Sequence, residues 1–212
     1  MLRAALIVIT GSVVALAGCT STGAQPTPRA DSTAPVLAPG RPGEQNKTLS
    51  PAEAATAVPA STANAADVKY VQDMIVHHRQ ALDMALLAPT RASSTRVKSL
   101  ADRIQAAQGP EIQYMTTWLR QLQQKVPDHH AGHAGMPGMA TPEQLDALKA
   151  ASGTAFDRMF LELMIKHHEG ALAMSDQVLI GGSHIKIEEL ATDVNVTQTA
   201  EIRRMQELLT EL

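Results

Sequence analysis

Two stretches decide the fold: "MIVHHRQALDM" at residues 74–84 and "MIKHHEGALAM" at 164–174. They are one pattern written twice at an offset of 90 residues. Upstream, Asp67 matches Asp157 and Tyr70 matches Phe160. Downstream and without a gap, "QGPEIQYMTTWL" at 108–119 matches "QTAEIRRMQELL" at 198–209. About a third of the positions from 67 to 122 are identical to their counterparts. A repeat of this kind sets the architecture before any single helix is considered.

Each copy reads as a helical hairpin. In the first, Asn64 is placed to cap a helix, with Asp67 in the favourable first turn. This helix is expected to run to about Ala88, where Pro89 stops it. Ser93 or Ser94 can cap the next helix, which continues to about Lys125 with a kink expected at Gly109–Pro110. In "TPEQ" at 141–144, Thr141 caps, Pro142 takes the first helical position and Gln144 closes a capping box. Gly153 should break or bend that helix, which then resumes to Ile180. "GGS" at 181–183 ends it, and Ser183 is expected to cap the last helix. Strand alternation is absent. The fold class that follows is all-α, an antiparallel four-helix bundle built from two repeated hairpins. The domain spans 63–212, with repeats at 63–127 and 141–212 joined by a loop at 128–140.

At 100° per residue, Asp67, Tyr70, Val71, Met74, His78, Ala81 and Ala85 share a face that should point inward. His77 and Met84 fall on its edge. The second copy repeats this with Asp157, Phe160, Met164, His168 and Ala171 inside, and His167 and Met174 at the edge. On the partner helices Gln108, Glu111 and Met115 share a face, as do Gln198, Glu201 and Met205. Buried imidazoles and carboxylates are costly unless something satisfies them. One solution is mutual bonding, His78 to Glu111 and His168 to Glu201, with methionine as filler. The other is metal binding. A duplicated His/Met motif favours the second, because leucine would pack as well as methionine.

Ligand softness indicates the metal. Thioethers suit Cu(I) or Ag(I), and imidazole suits many metals. Di-iron bundles carry Glu-x-x-His on two helices, whereas neither His pair here has a Glu three residues before it. The loop "DHHAGHAGMPGM" at 128–139 adds His129, His130, His133, Met136 and Met139. Short His-rich tracts are a compositional sign of metal binding, and the loop is expected to be an accessory copper site independent of the fold.

The motif "DxxxxxxMIxHHxxALxM" followed by "QxxEIxxM" resembles the bacterial family called domain of unknown function 305, which includes CopM-like periplasmic copper-binding proteins. The resemblance covers about residues 65–212. It implies a ferritin-like four-helix bundle and, for the CopM-like members, binding of copper or silver through His and Met. Its motif residues carry over onto Met74, His77, His78 and Met84, and onto Met164, His167, His168 and Met174. The first copy departs at Arg79 and Gln80, where the second has Glu169 and Gly170.

The rest of the chain reads as an anchor. Residues 1–18 form a leader: Arg3, then an apolar run from Ala4 to Leu16 that is short for a membrane span. "LAGC" ending at Cys19 resembles a lipobox, which makes Cys19 the lipidated residue. It is the only cysteine in the chain, so no intramolecular disulfide can form. Residues 19–62, rich in Pro, Ser, Thr and Ala, are expected to be a disordered tether. Net charge is −3 and aromatics are 2% of the 212 residues, and no basic block appears, so nucleic acid is excluded as a partner.

The expectation is therefore a non-enzymatic, extracytoplasmic, membrane-anchored lipoprotein. It binds copper, foremost Cu(I), for buffering, resistance or delivery, with a copper-donating or copper-accepting envelope protein as partner. The rival readings are a di-metal carboxylate oxidase using Glu111, Glu201, His78 and His168, and a metal-free envelope interaction module.

Overall fold

The computed structural model describes residues 35–38, 45–57, 61–128 and 135–212. It divides into two compact units, Met1–Pro59 and Ala60–Leu212. The leader, Cys19, His129, His130 and His133 lie outside the described residues.

In the first unit, β1 (Val36–Ala38) pairs antiparallel with β2 (Lys47–Leu49), Val36 opposite Leu49. Helix α1 (Pro51–Ala57) follows. These short elements fall within the stretch expected to be a tether. The strands need only backbone bonds, and α1 starts on a local exchange. The Ser50 amide donates to Glu53 Oε2 at 2.8 Å, and the Glu53 amide donates to Ser50 Oγ at 3.3 Å. Neither device requires a buried core, which is what composition had measured.

The second unit is the bundle. Its helices are α2 (Ala65–Ala85), a one-turn α3 (Ala88–Arg91), α4 (Thr95–Gln121), α5 (Pro142–Ala150), α6 (Gly153–Gly181) and α7 (Ile185–Thr210). The caps at Asn64, Ser94 and Thr141 form as expected, with full capping boxes at Asn64–Asp67 and Thr141–Gln144. Two boundaries differ. α2 ends at Ala85, and Pro89 sits in the first turn of α3, because proline's fixed φ suits a helix start as well as a stop. α4 ends at Gln121, short of Lys125. The break at Gly153 forms as expected: Gly153 opens α6 from a left-handed conformation, φ +62°, a backbone state that glycine adopts at little cost.

Ser183 does not cap α7; His184 holds that position and makes no side-chain capping bond. The Ser183 amide instead donates to Asp67 at 3.1 Å from Oδ2, and its hydroxyl donates to the Thr62 carbonyl at 2.7 Å. The repeat supplies the mirror of this clamp. Asp157 accepts from the Ser93 hydroxyl at 2.5 Å and from the Ser94 amide at 2.9 Å. Each hairpin's buried aspartate thus binds the turn of the other hairpin. The start of α2 meets the end of α6, and the start of α6 meets the end of α2, so these two helices run antiparallel. α4 packs on α2 and α7 packs on α6.

The core has two apolar halves. One holds Ala81, Met84, Leu100, Ile104, Phe156, Phe160, Met164, Ile202 and Met205. The other holds Tyr70, Val71, Met74, Met115, Trp118, Ala171, Met174, Ile187 and Val194. In sequence, the residues between these sets on the four long helices are His77 and His78, Gln108 and Glu111, His167 and His168, and Gln198 and Glu201.

Candidate metal centre

The methionines obey the repeat. Met74, Met115 and Met174 fall in one apolar half; Met84, Met164 and Met205 fall in the other. Exchanging each residue for its counterpart 90 positions away converts one trio into the other. Antiparallel α2 and α6 bring the head of one motif beside the tail of its twin, so each half draws thioethers from both hairpins.

Between the halves lies the polar layer. His77, His78, His167 and His168 are all fully buried. The edge position expected for His77 and His167 is therefore corrected. The angular reading of one helix missed that α2 and α6 pack on each other along that edge, which turns it into the centre. The His77 and His167 rings pack against each other with centroids 3.8 Å apart, tilted by 39°. Met84 and Met174, also placed at the edge, are buried too.

Every one of these imidazoles gives Nε2 to an oxygen. His77 Nε2 donates to the Pro137 carbonyl at 3.0 Å and His167 Nε2 to the His77 carbonyl at 2.9 Å. His78 Nε2 donates to Glu111 Oε2 at 2.7 Å and His168 Nε2 to Glu201 Oε2 at 2.7 Å. A carbonyl can only accept, so the hydrogen of His77 and of His167 lies on Nε2. Burial, reinforced by the charge of His78, pushes His77 down to about 3. Burial and then the charge of His77 hold His167 well below its ordinary value. These two rings are neutral at physiological pH, and each carries its lone pair on Nδ1. All four Nδ1 atoms are buried without a partner, as are both polar atoms of Gln108 and the Oε1 of Gln198. Buried polar atoms in folded proteins are normally satisfied, so the donor set of this layer fits the chemistry of a metal ion.

The arrangement matches how proteins prepare histidine ligands. A metal-binding imidazole almost always donates its other N–H to a carboxylate or a backbone carbonyl, which fixes the tautomer and ring orientation. Glu111 and Glu201 are placed as such orienting groups. Among the described residues, no three His, Cys, Asp or Glu side chains converge as a chelate.

The loop is divided by the structure. Residues 135–140 are docked on the bundle, which corrects the expectation of a loop independent of the fold. Gln80 exchanges two bonds with Ala140: its amide donates to the Ala140 carbonyl at 3.0 Å and its Oε1 accepts from the Ala140 N–H at 2.7 Å. Arg79 donates to the carbonyls of Pro127 at 3.0 Å and Asp128 at 2.7 Å. Opposite them, Gly170 lets the loop lie flat, because a Cβ there would stand 2.1 Å from the Pro137 carbonyl oxygen. Gly138, at φ +76°, faces Lys166 in the same way. Arg79, Gln80 and Gly170, three of the residues by which the two motif copies differ, are thus the loop's anchors. Sequence reading treated them as departures, since nothing local in Arg79 or Gln80 announces a partner 48 or more residues away, and nothing local in Gly170 announces Pro137. Met136 and Met139 are half-buried in this docked part.

Comparison with known proteins agrees with this picture. The family described as Domain of unknown function (DUF305) matches residues 67–209. A DUF305 fragment from Deinococcus radiodurans is 36% identical, with 71% of this chain and 99% of that chain covered and a TM-score of 0.66. A DUF305 protein from Streptomyces coelicolor, described as a candidate secreted protein, is 31% identical over 69% of this chain and 91% of that one, TM-score 0.64. CopM in its Cu(I)-bound form is 32% identical over 68% of this chain and 96% of that one, TM-score 0.59. CopM structures in Cu(II)-bound and Ag-bound forms match as well. No curated protein matches. The repeat, the paired imidazoles and these likenesses make one assignment: the chain belongs to the DUF305 family.

Proposed function

We propose that this chain is an extracytoplasmic, lipid-anchored protein that binds copper, chiefly Cu(I) and also Cu(II) or Ag(I), for buffering, resistance or delivery, without catalysing a reaction. The observation that carries this reading is the buried layer of four imidazoles, each oriented through Nε2 and each leaving Nδ1 unpartnered. Trios of thioethers flank it on both sides. Imidazole nitrogen with thioether sulfur, and no thiolate, is a donor set for a soft monovalent ion. The CopM structures with Cu(I), Cu(II) and silver support the same cargo.

The helical donors are His77, His78, His167 and His168 with Met74, Met84, Met115, Met164, Met174 and Met205. His129, His130, His133, Met136 and Met139 form an accessory set, and Glu111 and Glu201 hold the rings. Among the described residues no helix is long and apolar enough to cross a membrane. Cys19, after the leader, is the anchor in this reading, and the candidate secreted relative supports an extracytoplasmic location. If Cys19→Ala fractionates and migrates like the parent, the anchor is wrong.

The deciding experiment is a Cu(I) titration of residues 61–212 against a calibrated chelator, with metal analysis. Uptake of Cu(I) in competition with the chelator is the expected result. A folded protein that takes none would reduce the imidazole layer to internal hydrogen bonding and return the chain to the metal-free reading.

A further inference from the structure

The buried thioethers are not equally buried. Among the described residues, Met74, Met84, Met115, Met164 and Met205 are 0% exposed, and Met174 is 7% exposed. Met174 reaches the surface in a groove of about 540 Å³ between the start of α2 and the end of α6. The loop residues Gly135, Met136 and Pro137 form another wall of that groove, with Tyr70 and Asp73 facing them from α2. Met136 from the loop and Met174 from the helical core therefore line one open groove.

This pairing is absent from the repeat pattern, because Met136 lies in the linker between the copies. It depends on the docking of 137–140, which fixes the chain direction at Met136 through Gln80 and Gly170. From the groove inward the donors are continuous in kind. Met174 belongs to the same apolar cluster as the fully buried Met74 and Met115. The residue beside Met136, Pro137, holds His77 of the polar layer through its carbonyl.

We infer that Met136 and Met174 together form a thioether port, the surface site at which a soft monovalent cation is taken up and from which it passes to Met74 and Met115. The inference rests on the copper-binding reading above and adds where the ion crosses the surface. A two-thioether site binds weakly enough to release its ion and excludes hard divalent cations by ligand type. Passage inward needs no redox step and no proton: one Met sulfur replaces another in the coordination of the same ion. Asp73 contributes negative charge at the mouth, moderated by its ion pair with Lys69.

The test is a titration with Ag(I), a closed-shell probe, of protein carrying 13C-methyl labels on its methionines. Met136→Leu and Met174→Leu assign the two signals. The port predicts that both methyl signals move together in one titration step, and that Met136→Leu weakens Ag(I) binding at Met174 by about tenfold. Movement of the Met174 signal with Met136 static, or unchanged affinity in Met136→Leu, overturns the port and leaves copper binding standing. If no methionine signal moves at excess Ag(I), the port and the metal-binding reading fall together.

Discussion

The packed rings of His77 and His167 sit where two like-charged imidazolium ions would repel, in surroundings that disfavour either one. His77 meets the charge of His78 on its own helix and of His168 on α6, and packs against the His167 ring; Glu111 from α4 holds His78 and Glu201 from α7 holds His168. Its depressed value gives a pH dependence with a definite sign. Between its ordinary value of 6.5 and about 3, the unfolded chain binds a proton that the folded chain does not, so stability rises with pH in that window. The metal-free protein should keep full stability above the window's upper edge and lose it progressively as pH falls through it. Urea midpoints measured at about pH 7.5 and about pH 5 check this, and equal midpoints would mean that the pair is not held neutral. The same residue scale separates ligand from filler. Met164→Leu preserves apolar volume and should cost under about 1.5 kcal/mol. It removes one sulfur from the trio with Met84 and Met205, and if that trio binds Cu(I) the affinity should drop about tenfold, equivalent to ~1.4 kcal/mol. An unmoved affinity in a folded variant would make these methionines packing alone.

Among the elements, the two reciprocal aspartate clamps and the docked loop are the features that helix-by-helix reading could not supply. Asp67 was visible as a first-turn acid, and Asn64, Thr141 and Gln144 were visible as caps, because capping is decided within four residues. Ser183 looked like a cap for the same local reason and proved to be bound by a residue 116 positions away. Gln80 and Gly170 read as lapses in a repeat because their role exists only once the loop has folded back. The candidate donors were legible as a set, since offset and residue type need no structure; which of them lie at the centre was not, because that depends on helix pairing. Three predictions belong here. Asp157→Ala strips the Ser94 amide and the Ser93 hydroxyl of their acceptor and should destabilise the bundle by about 2–3 kcal/mol, measurable by denaturant unfolding. A loss under about 0.5 kcal/mol would mean that the clamp is incidental. In the loop, a Gly/Ser replacement of 129–134 alone should leave the thermal midpoint unchanged and lower copper stoichiometry. Gly170→Ala should lower the midpoint, because the new methyl meets the backbone at Pro137 and Gly138 rather than a yielding side chain.

For the whole molecule, the unit at Ala60–Leu212 carries both apolar halves and the polar layer. Removal of residues 1–60 should leave the melting temperature and Cu(I) stoichiometry of the remainder unchanged, and a shift in either would show that the first unit contributes to the site. Within the bundle, the clamps bear on how the chain chooses its partners. Asp67 needs a Ser183 and Asp157 needs a Ser93, but neither bond specifies that donor and acceptor belong to one polypeptide. Two chains could exchange hairpins and satisfy every clamp, packing a His77 from one against a His167 from the other, which is the domain-swapped dimer open to any duplicated fold. What favours closure within a single chain is the effective concentration set by the linker. Gln80 and Gly170 raise that concentration by seating residues 137–140 on the bundle. Two of the residues that break the symmetry of the repeat would thereby favour closure within one chain over exchange between two. Unseating the loop by Gly170→Ala and refolding at high protein concentration should raise the share of swapped dimer, seen as a second peak in size-exclusion chromatography.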